Sequence, residues 1–463
     1  MEYGLVGESL KHSWSKEIHN MINDYDYKII SLPEKDFDDF IYKQDFAGLN
    51  VTIPYKQKVI AYCKTLSEPA QRIGSVNTMT VDGSGNLKGY NTDYDGFIYM
   101  CKNYINNEGF TFKGKSVLIL GSGGTGKTAK VASEDMGAAK ITVLSRKGEH
   151  TYDDQKDFSD TDIIINTTPV GMYPNNGRRL IDLENFPQCE AVIDVIYNPL
   201  KTQLLMDAED RGIRYTNGLP MLVAQAKFAG DIFLGAKWSS ICNERQPQNG
   251  KLQNERQLQN NKSQNEHQLQ NNKLQNEDII KQVTGKMISD NQNIILIGMP
   301  GSGKTSIGAS AAQILKRDFV DIDAVIEKNA GMSIPEIFEN HGEQYFRDLE
   351  SDTIKKYGKE KGLVISVGGG GILREENRFA LRQNGYVVWI QRDVDKLETD
   401  GRPLSKSRDA LKAILKEREG LYESISEVKI DNNSDDYHET AKHLLENLNK
   451  TTNFGKKSSN EWK

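Results

Sequence analysis

The stretch from Asn243 to Asp278 constrains the rest of the chain most, because it cannot belong to a core. It runs NERQPQNGKLQ, NERQLQNNKSQ, NEHQLQNNKLQ, NED, a unit of eleven residues written three times with small changes. Gln and Asn dominate it, and its few Leu are too sparse to bury the area that would offset the entropy of ordering. The tract therefore reads as a disordered tether. Eleven residues is also the period of a right-handed supercoiled helix. That stripe would consist of Leu252, Leu258, Leu269 and Leu274, and Pro247 and Ser263 interrupt it. As a flexible coil the tether spans about 30–35 Å, which keeps two folded units close without building a channel between them.

The whole chain has 463 residues, room for two to four domains. A formal net charge of −6 supplies no basic balance for nucleic acid or an anionic membrane. Cys63, Cys101, Cys189 and Cys242 are scattered and form no CxxC pair, which suits buried thiols in a reducing cytosol better than zinc or disulfides. No apolar run approaches a membrane span and the N-terminus lacks a signal pattern. The expectation is a cytoplasmic α/β protein acting on small molecules, and a homodimer is compatible with it.

In the first part, residues 1–241, Tyr3–Gly7 and Gly48–Ile53 read as buried strands. Ser15 is placed as a helix cap, and Asn91-Thr92-Asp93 opens a further helix. The strand Ser116–Leu120 then runs into Gly121-Ser122-Gly123-Gly124-Thr125-Gly126-Lys127-Thr128. This run satisfies both the dinucleotide fingerprint GxGxxG and the triphosphate motif GxxxxGK[ST]. The next strand, Lys140–Leu144, ends at Ser145-Arg146-Lys147 with no acid for a ribose 2′-hydroxyl. Arg146 suits a 2′-phosphate and no DxD follows to hold magnesium, which favours NADP(H).

The motifs YGLVGESLKHSWS, GLNVTIPYK, GSVNT, GYNTDYDG, the glycine loop, INTTPVGM, DVIYNP and GLPMLVAQA stand in the order found in shikimate dehydrogenases, which this part resembles. The resemblance implies NADPH-dependent reduction of 3-dehydroshikimate to shikimate, with Lys56 and Asp93 as the catalytic pair. It implies Ser13, Ser15, Thr52, Asn77, Tyr197, Gly218 and Gln225 around the substrate. Gly121, Ser122, Gly123, Gly124, Thr125, Ser145, Arg146 and Met221 would hold NADP. The implied organisation is a substrate domain at 1–94 completed by 219–241, with a Rossmann domain at 95–218. Lys16, Ser145 and Pro220 depart from residues common in the family. The chemistry asks for the same residue types: reducing a ketone develops alkoxide charge, which an ammonium stabilises and then neutralises.

In the second part, residues 290–450, the strand Asn293–Ile297 leads into Gly298-Met299-Pro300-Gly301-Ser302-Gly303-Lys304-Thr305 and a helix. This is the context of a nucleotide-phosphate loop, with Lys304 for the β/γ-phosphates and Thr305 for Mg²⁺. Asp321-Ile322-Asp323 is expected to close the next strand, with period-two geometry putting both carboxylates on one side. Arg347, the run Gly368–Gly371, Arg402 in a polar lid stretch, and Arg418 suit carboxylate and polyphosphate recognition.

The set resembles shikimate kinase, a three-layer P-loop fold of the nucleoside-monophosphate-kinase type. The resemblance implies Gly301, Ser302, Gly303, Lys304, Thr305, Ser306 and Arg402 for ATP, with Thr305 and Asp321 for the metal. Asp323, Arg347, Gly369, Gly370 and Arg418 would hold shikimate, with Glu350 steadying Arg347 and Asp323 and Lys304 catalytic. Ser405 stands where the family has a second Leu in its lid, and the tail 451–463 is expected to be disordered. Alternatives are a quinate/shikimate dehydrogenase joined to another small-molecule P-loop kinase, or a regulatory pseudoenzyme. The intact charged set argues against the pseudoenzyme.

Overall fold

The computed structural model describes residues 2–10, 13–105, 110–235, 274–397, 408–434 and 436–451. Contacts divide the chain into two compact units. The first holds Met1–Pro169, Leu180–Ile196 and Arg211–Met287; the second holds Val170–Arg179, Tyr197–Asp210 and Ile288–Lys463.

The first unit has two sheets. The first sheet contains β1 (Tyr3–Gly7), β2 (Tyr27–Ser31), β3 (Gly48–Val51), β4 (Thr65–Leu66), β5 (Thr78–Val81) and β6 (Leu87–Tyr90), in the order β2-β1-β3-β5-β6-β4. β1 runs parallel to β2 and β3, whereas β5 is antiparallel to β3 and β6. The second sheet contains β7 (Ser116–Leu120), β8 (Lys140–Leu144), β9 (Ile163–Asn166), β10 (Ala191–Asp194) and β11 (Arg214–Thr216), ordered β11-β10-β9-β7-β8 and wholly parallel. Its strands read as unbroken apolar runs such as IIIN and AVID because both faces are covered.

The helices are α1 (Ser15–Ile22), α2 (Glu34–Lys43), α3 (Glu68–Ile73), α4 (Thr92–Met100), α5 (Gly124–Asp135), α6 (Gln203–Asp210, which clusters with the second unit) and α7 (Leu219–Phe233). Helix α7 returns to the first sheet, where Ala229 and Phe233 pack with Tyr3, Leu5 and Tyr27. Gly96 lets α4 and α7 approach closely, since a Cβ there would stand 2.7 Å from Met221 O.

Residues 274–291 form α8. The stretch 274–278, assigned from sequence to the tether, is therefore the start of a helix. The buried Ile280, Val283 and Met287 that follow, with hydrogen bonds from Asn276 to Asp231 (3.2 Å) and from Tyr99 to Glu277 O (3.4 Å), explain the difference. Residues 243–273 of that tract, together with 236–241, Cys242 and 452–463, lie outside the described residues.

The second unit is built on β12 (Asn293–Ile297), β13 (Phe319–Asp321), β14 (Val364–Ser366), β15 (Gly385–Gln391) and β16 (Val428–Asp431), all parallel and ordered β13-β14-β12-β15-β16. Its helices are α9 (Lys304–Leu315), α10 (Ile322–Ala330), α11 (Ile334–Gly358), α12 (Glu375–Asn384), α13 (Arg408–Ile425) and α14 (Tyr437–Thr451). Alternate residues of the central strand serve opposite faces: Ile295 and Ile297 join Trp389, Ile365 and Tyr422, whereas Ile294 and Leu296 join Val388, Ile307 and Leu444. Ile295→Ala should therefore lower the stability of this unit by about 2–5 kcal/mol, read from urea unfolding.

Candidate active sites

In the first unit Lys56 and Asp93 come from elements far apart in sequence and meet as an ion pair, Nζ to Oδ2 at 2.6 Å. Both side chains stay partly open, at 22% and 16%. Lys56 lies in the turn after β3, held where its carbonyl accepts from Val76 N at 2.8 Å. Asp93 sits in the first turn of α4, whose cap is Asn91, accepting from Tyr94 N at 3.1 Å.

Asn77 fixes the start of α4 beside Asp93. Its Oδ1 accepts from Thr92 N at 2.7 Å and its Nδ2 donates to Thr92 Oγ1 at 3.0 Å. Behind it a buried polar chain runs from Tyr27 Oη to Asn50 Oδ1 (2.7 Å), from Asn50 Nδ2 to Thr78 Oγ1 (3.0 Å), and on to Thr92 Oγ1 (3.0 Å). Asn50 and Tyr27 were not singled out from sequence. A buried Asn inside the apolar strand GLNV was the available signal, since such a group needs partners.

Ser13 and Ser15 are joined Oγ to Oγ at 3.1 Å, and Ser15 is the first helical residue of α1. The expected cap at Ser15 is thus corrected: Trp14 holds the cap position, and Ser13 Oγ reaches Ser15 N at 3.3 Å instead. Thr52 follows β3, which pairs with β1 on the same sheet. Gln225 is buried on α7 and donates to Leu222 O at 2.9 Å. Gly218, before α7, packs so closely on the backbone of Val195 that a Cβ has no room. Met221 is buried in the apolar cluster with Tyr94, Ile119 and Ile165. Tyr197 is half-buried, its phenol pKa raised by desolvation, and falls in the segment that clusters with the second unit.

The two glycine loops share one written motif and differ in space. In the first, α5 begins at Gly124 with no side-chain cap at Gly123, so its leading N–H groups are left for an anion. Gly121 has φ +106° and Gly126 packs against its carbonyl, while the space around Gly123 and Gly124 is open. Thr128 is buried and bonds Gly124 O at 3.2 Å, and Lys127 points out to solvent-exposed surface, so neither serves a metal or phosphate inside the loop. Ser145 is buried and Arg146 exposed at the end of the neighbouring strand. The open cradle and the Arg fit a dinucleotide bearing a 2′-phosphate.

In the second loop the helix starts only at Lys304, after Gly303 at φ +91°. Lys304 Nζ curls back on the carbonyls of Gly298 (2.9 Å) and Met299 (2.8 Å). Thr305 Oγ1 meets Asp321 Oδ2 at 2.7 Å. A hydroxyl and a carboxylate beside a helix start without a side-chain cap fit Mg²⁺ carried with a triphosphate, since that ion takes few protein ligands. Asp321 is not simply a strand end: it caps α10, accepting from Ala324 N at 3.2 Å, and Asp323 lies in that helix's first turn. The carboxylates share a site through a strand-to-helix corner, not through strand periodicity as expected.

Both border a cavity of about 530 Å³ lined by Gly301, Gly303, Lys304, Thr305, Ser306, Arg347, Glu350, Gly368, Gly369, Gly370 and Arg418. Asp323 opens on this cavity, yet its Oδ1 is buried without a hydrogen-bond partner. Burial, then Asp321, pushes its pKa up to about 6, against the opposing pull of Lys304 and Arg347. Arg347 Nη1 donates to Glu350 Oε2 at 2.8 Å, and Glu350 is itself raised by burial.

Gly368 gives Asp323 room, since a Cβ there would stand 2.7 Å from Oδ1; at Gly370 it would strike the Arg347 guanidinium. Gly369 O accepts from Arg418 Nη1 (2.8 Å) and from Tyr422 Oη (2.7 Å). Tyr422, fully buried, was not anticipated, nor were the cavity's apolar walls Ile334, Pro335 and Phe338. Arg402 lies outside the described residues.

Residues 5–79 match the family model described as the shikimate dehydrogenase substrate binding domain, and residues 300–449 match the model of shikimate kinase. The shikimate dehydrogenase (NADP(+)) of Clostridium perfringens is 37% identical over 257 residues, covering 51% of this chain and 93% of that protein. Its counterpart in Caldicellulosiruptor bescii is 38% identical over 250 residues, covering 48% and 85%. A solved shikimate kinase from Acinetobacter baumannii, in complex with shikimate, is 33% identical, covering 36% and 97% with a TM-score of 0.34. The chain belongs to the shikimate dehydrogenase family through its N-terminal half and carries a shikimate kinase domain in the same polypeptide.

Proposed function

We propose that this enzyme performs two consecutive reactions: reduction of 3-dehydroshikimate to shikimate, then transfer of the ATP γ-phosphoryl group to the shikimate 3-hydroxyl. The observation that carries the reading is one chain holding two separate acid–base centres, the Lys56–Asp93 pair at 2.6 Å and Asp323 beside a phosphate loop. When bound, NADPH supplies the hydride for the first unit, and Mg²⁺ supplies charge neutralisation on the triphosphate for the second.

In the first unit the Lys56 ammonium stabilises negative charge developing on the ketone oxygen and gives it a proton. Asp93 orients that ammonium and accepts from a substrate hydroxyl, while Asn77 and Asn91 fix the start of α4. Ser13, Ser15, Thr52, Gly218 and Gln225 are assigned to the remaining substrate groups. Gly121–Thr125, Ser145, Arg146 and Met221 are assigned to the dinucleotide side.

In the second unit Asp323 accepts the proton of the 3-hydroxyl as its oxygen attacks the γ-phosphorus and ADP leaves. Lys304 stabilises charge on the transferring group. Arg347, held by Glu350, and Arg418, held at Gly369 O, suit a substrate carboxylate. Arg402 is assigned to the phosphates. The substrates are small molecules, and the setting proposed is the cytoplasm.

A coupled assay tests the whole: folded protein given 3-dehydroshikimate, NADPH and MgATP should form shikimate 3-phosphate, and absence of that product defeats the reading. Lys56→Ala should cut dehydroshikimate reduction by about 10²–10⁴-fold while phosphorylation of added shikimate persists. Arg146→Ala should weaken NADPH relative to NADH in steady-state kinetics; an unchanged ratio would refute the 2′-phosphate assignment. Asp323 is a base only when ionised, so kcat/KM for the kinase should fall as pH drops below about 6, about tenfold per unit, in a pH–rate profile.

A further inference from the structure

We propose that Asn432, which lies outside the GxxxxGKT motif, is a positioning residue that sets the phosphate loop of the second unit for ATP; the inference rests on the kinase reading above. Asn432 follows β16 and is completely buried. Its backbone N–H bonds Gln391 O at 2.8 Å, which anchors it to the end of β15. Its side-chain Oδ1 accepts from Thr440 Oγ1 of α14 at 3.2 Å. Its Nδ2 donates to Ser302 O, inside the loop, at 2.8 Å.

The consequence follows from peptide geometry. A trans peptide points its C=O and N–H in opposite directions. With Ser302 O pinned on Asn432, the N–H of Gly303 is turned away from that side chain and toward the cavity bordered by Gly301, Lys304 and Thr305. Gly303 holds φ +91°, and a Cβ on it would crowd Asn432 Nδ2 and stand 3.0 Å from a Tyr437 ring carbon. The loop is thus braced from behind by β16 and α14, and a donor aimed beforehand costs no reorganisation when phosphate arrives. Ser302 O can only accept, so it fixes which way round the amide sits, and the Thr440 hydroxyl, shared between Oδ1 and Asp436 O (3.1 Å), holds the other end.

The test uses the full chain, with KM for shikimate in the kinase reaction reporting on the fold of the second unit and reductase activity on that of the first. Asn432→Asp has no proton for Ser302 O and should raise KM for MgATP about tenfold; Thr440→Val should raise it about threefold. In both variants KM for shikimate and the reductase kcat should stay at parent values. An ATP KM within twofold of the parent in either well-folded variant overturns the inference. So does an equal rise in both kinase KM values, which would mark a general loss of structure. A parent chain that fails to phosphorylate shikimate overturns the kinase reading, and this inference with it.

Discussion

Every helix begins with backbone N–H groups that have no partner within the helix, and something outside must satisfy them. This chain places its chemistry where that demand arises. Asn91 caps α4 and thereby sets Asp93 in the first turn, and Asp321 does the same for α10 and Asp323. At α5 and α9 no side chain caps the helix, so the open N–H groups and the dipole are left for phosphate. Four helix starts, two capped from within and two left open, account for most of both sites.

The charged groups then depend on what burial allows. Lys56 and Asp93 form a close pair and stay partly open to solvent, which suits a group that must hand over a proton and regain it. Asp323 faces the opposite situation. Its Oδ1 is buried without a partner, and the nearby Asp321 adds repulsion, so its proton is held more tightly than on an ordinary carboxylic acid. Lys304 and Arg347 limit that rise and leave a base that is ionised near neutral pH. Glu350, almost wholly inaccessible, is tolerated because the Arg347 guanidinium is bonded to it.

The two glycine loops show how far a motif can be trusted. Gly121–Thr128 and Gly298–Thr305 fit the same pattern of letters. In one the helix begins early, so the Lys and Thr lie a turn inside it, where Thr128 bonds the backbone. In the other the helix begins at the Lys itself, and Thr305 reaches a carboxylate on the adjoining corner. The helix start decides which atoms face the anion. Arg146 at the end of the next strand, with no acid beside it and no DxD following, hinted at this difference beforehand.

The α/β class, the strand cores and the two glycine loops before helices were legible because they rest on local patterns: apolar runs and glycine spacing. What surrounds them was not legible. The chain Tyr27–Asn50–Thr78–Thr92, the closeness of Gly368 to Asp323, the grip of Tyr422 on Gly369 and the brace from Asn432 to Ser302 all join residues distant in sequence. Periodicity also misplaced Asp321 and Asp323, because a strand turns into a helix between them. The sequence alone determined which elements form and which reactive groups each carries, since backbone propensity and burial act over a few neighbours. Only the tertiary structure decided which of those groups meet and which way each peptide faces, because such contacts arise when separate elements are packed to exclude water.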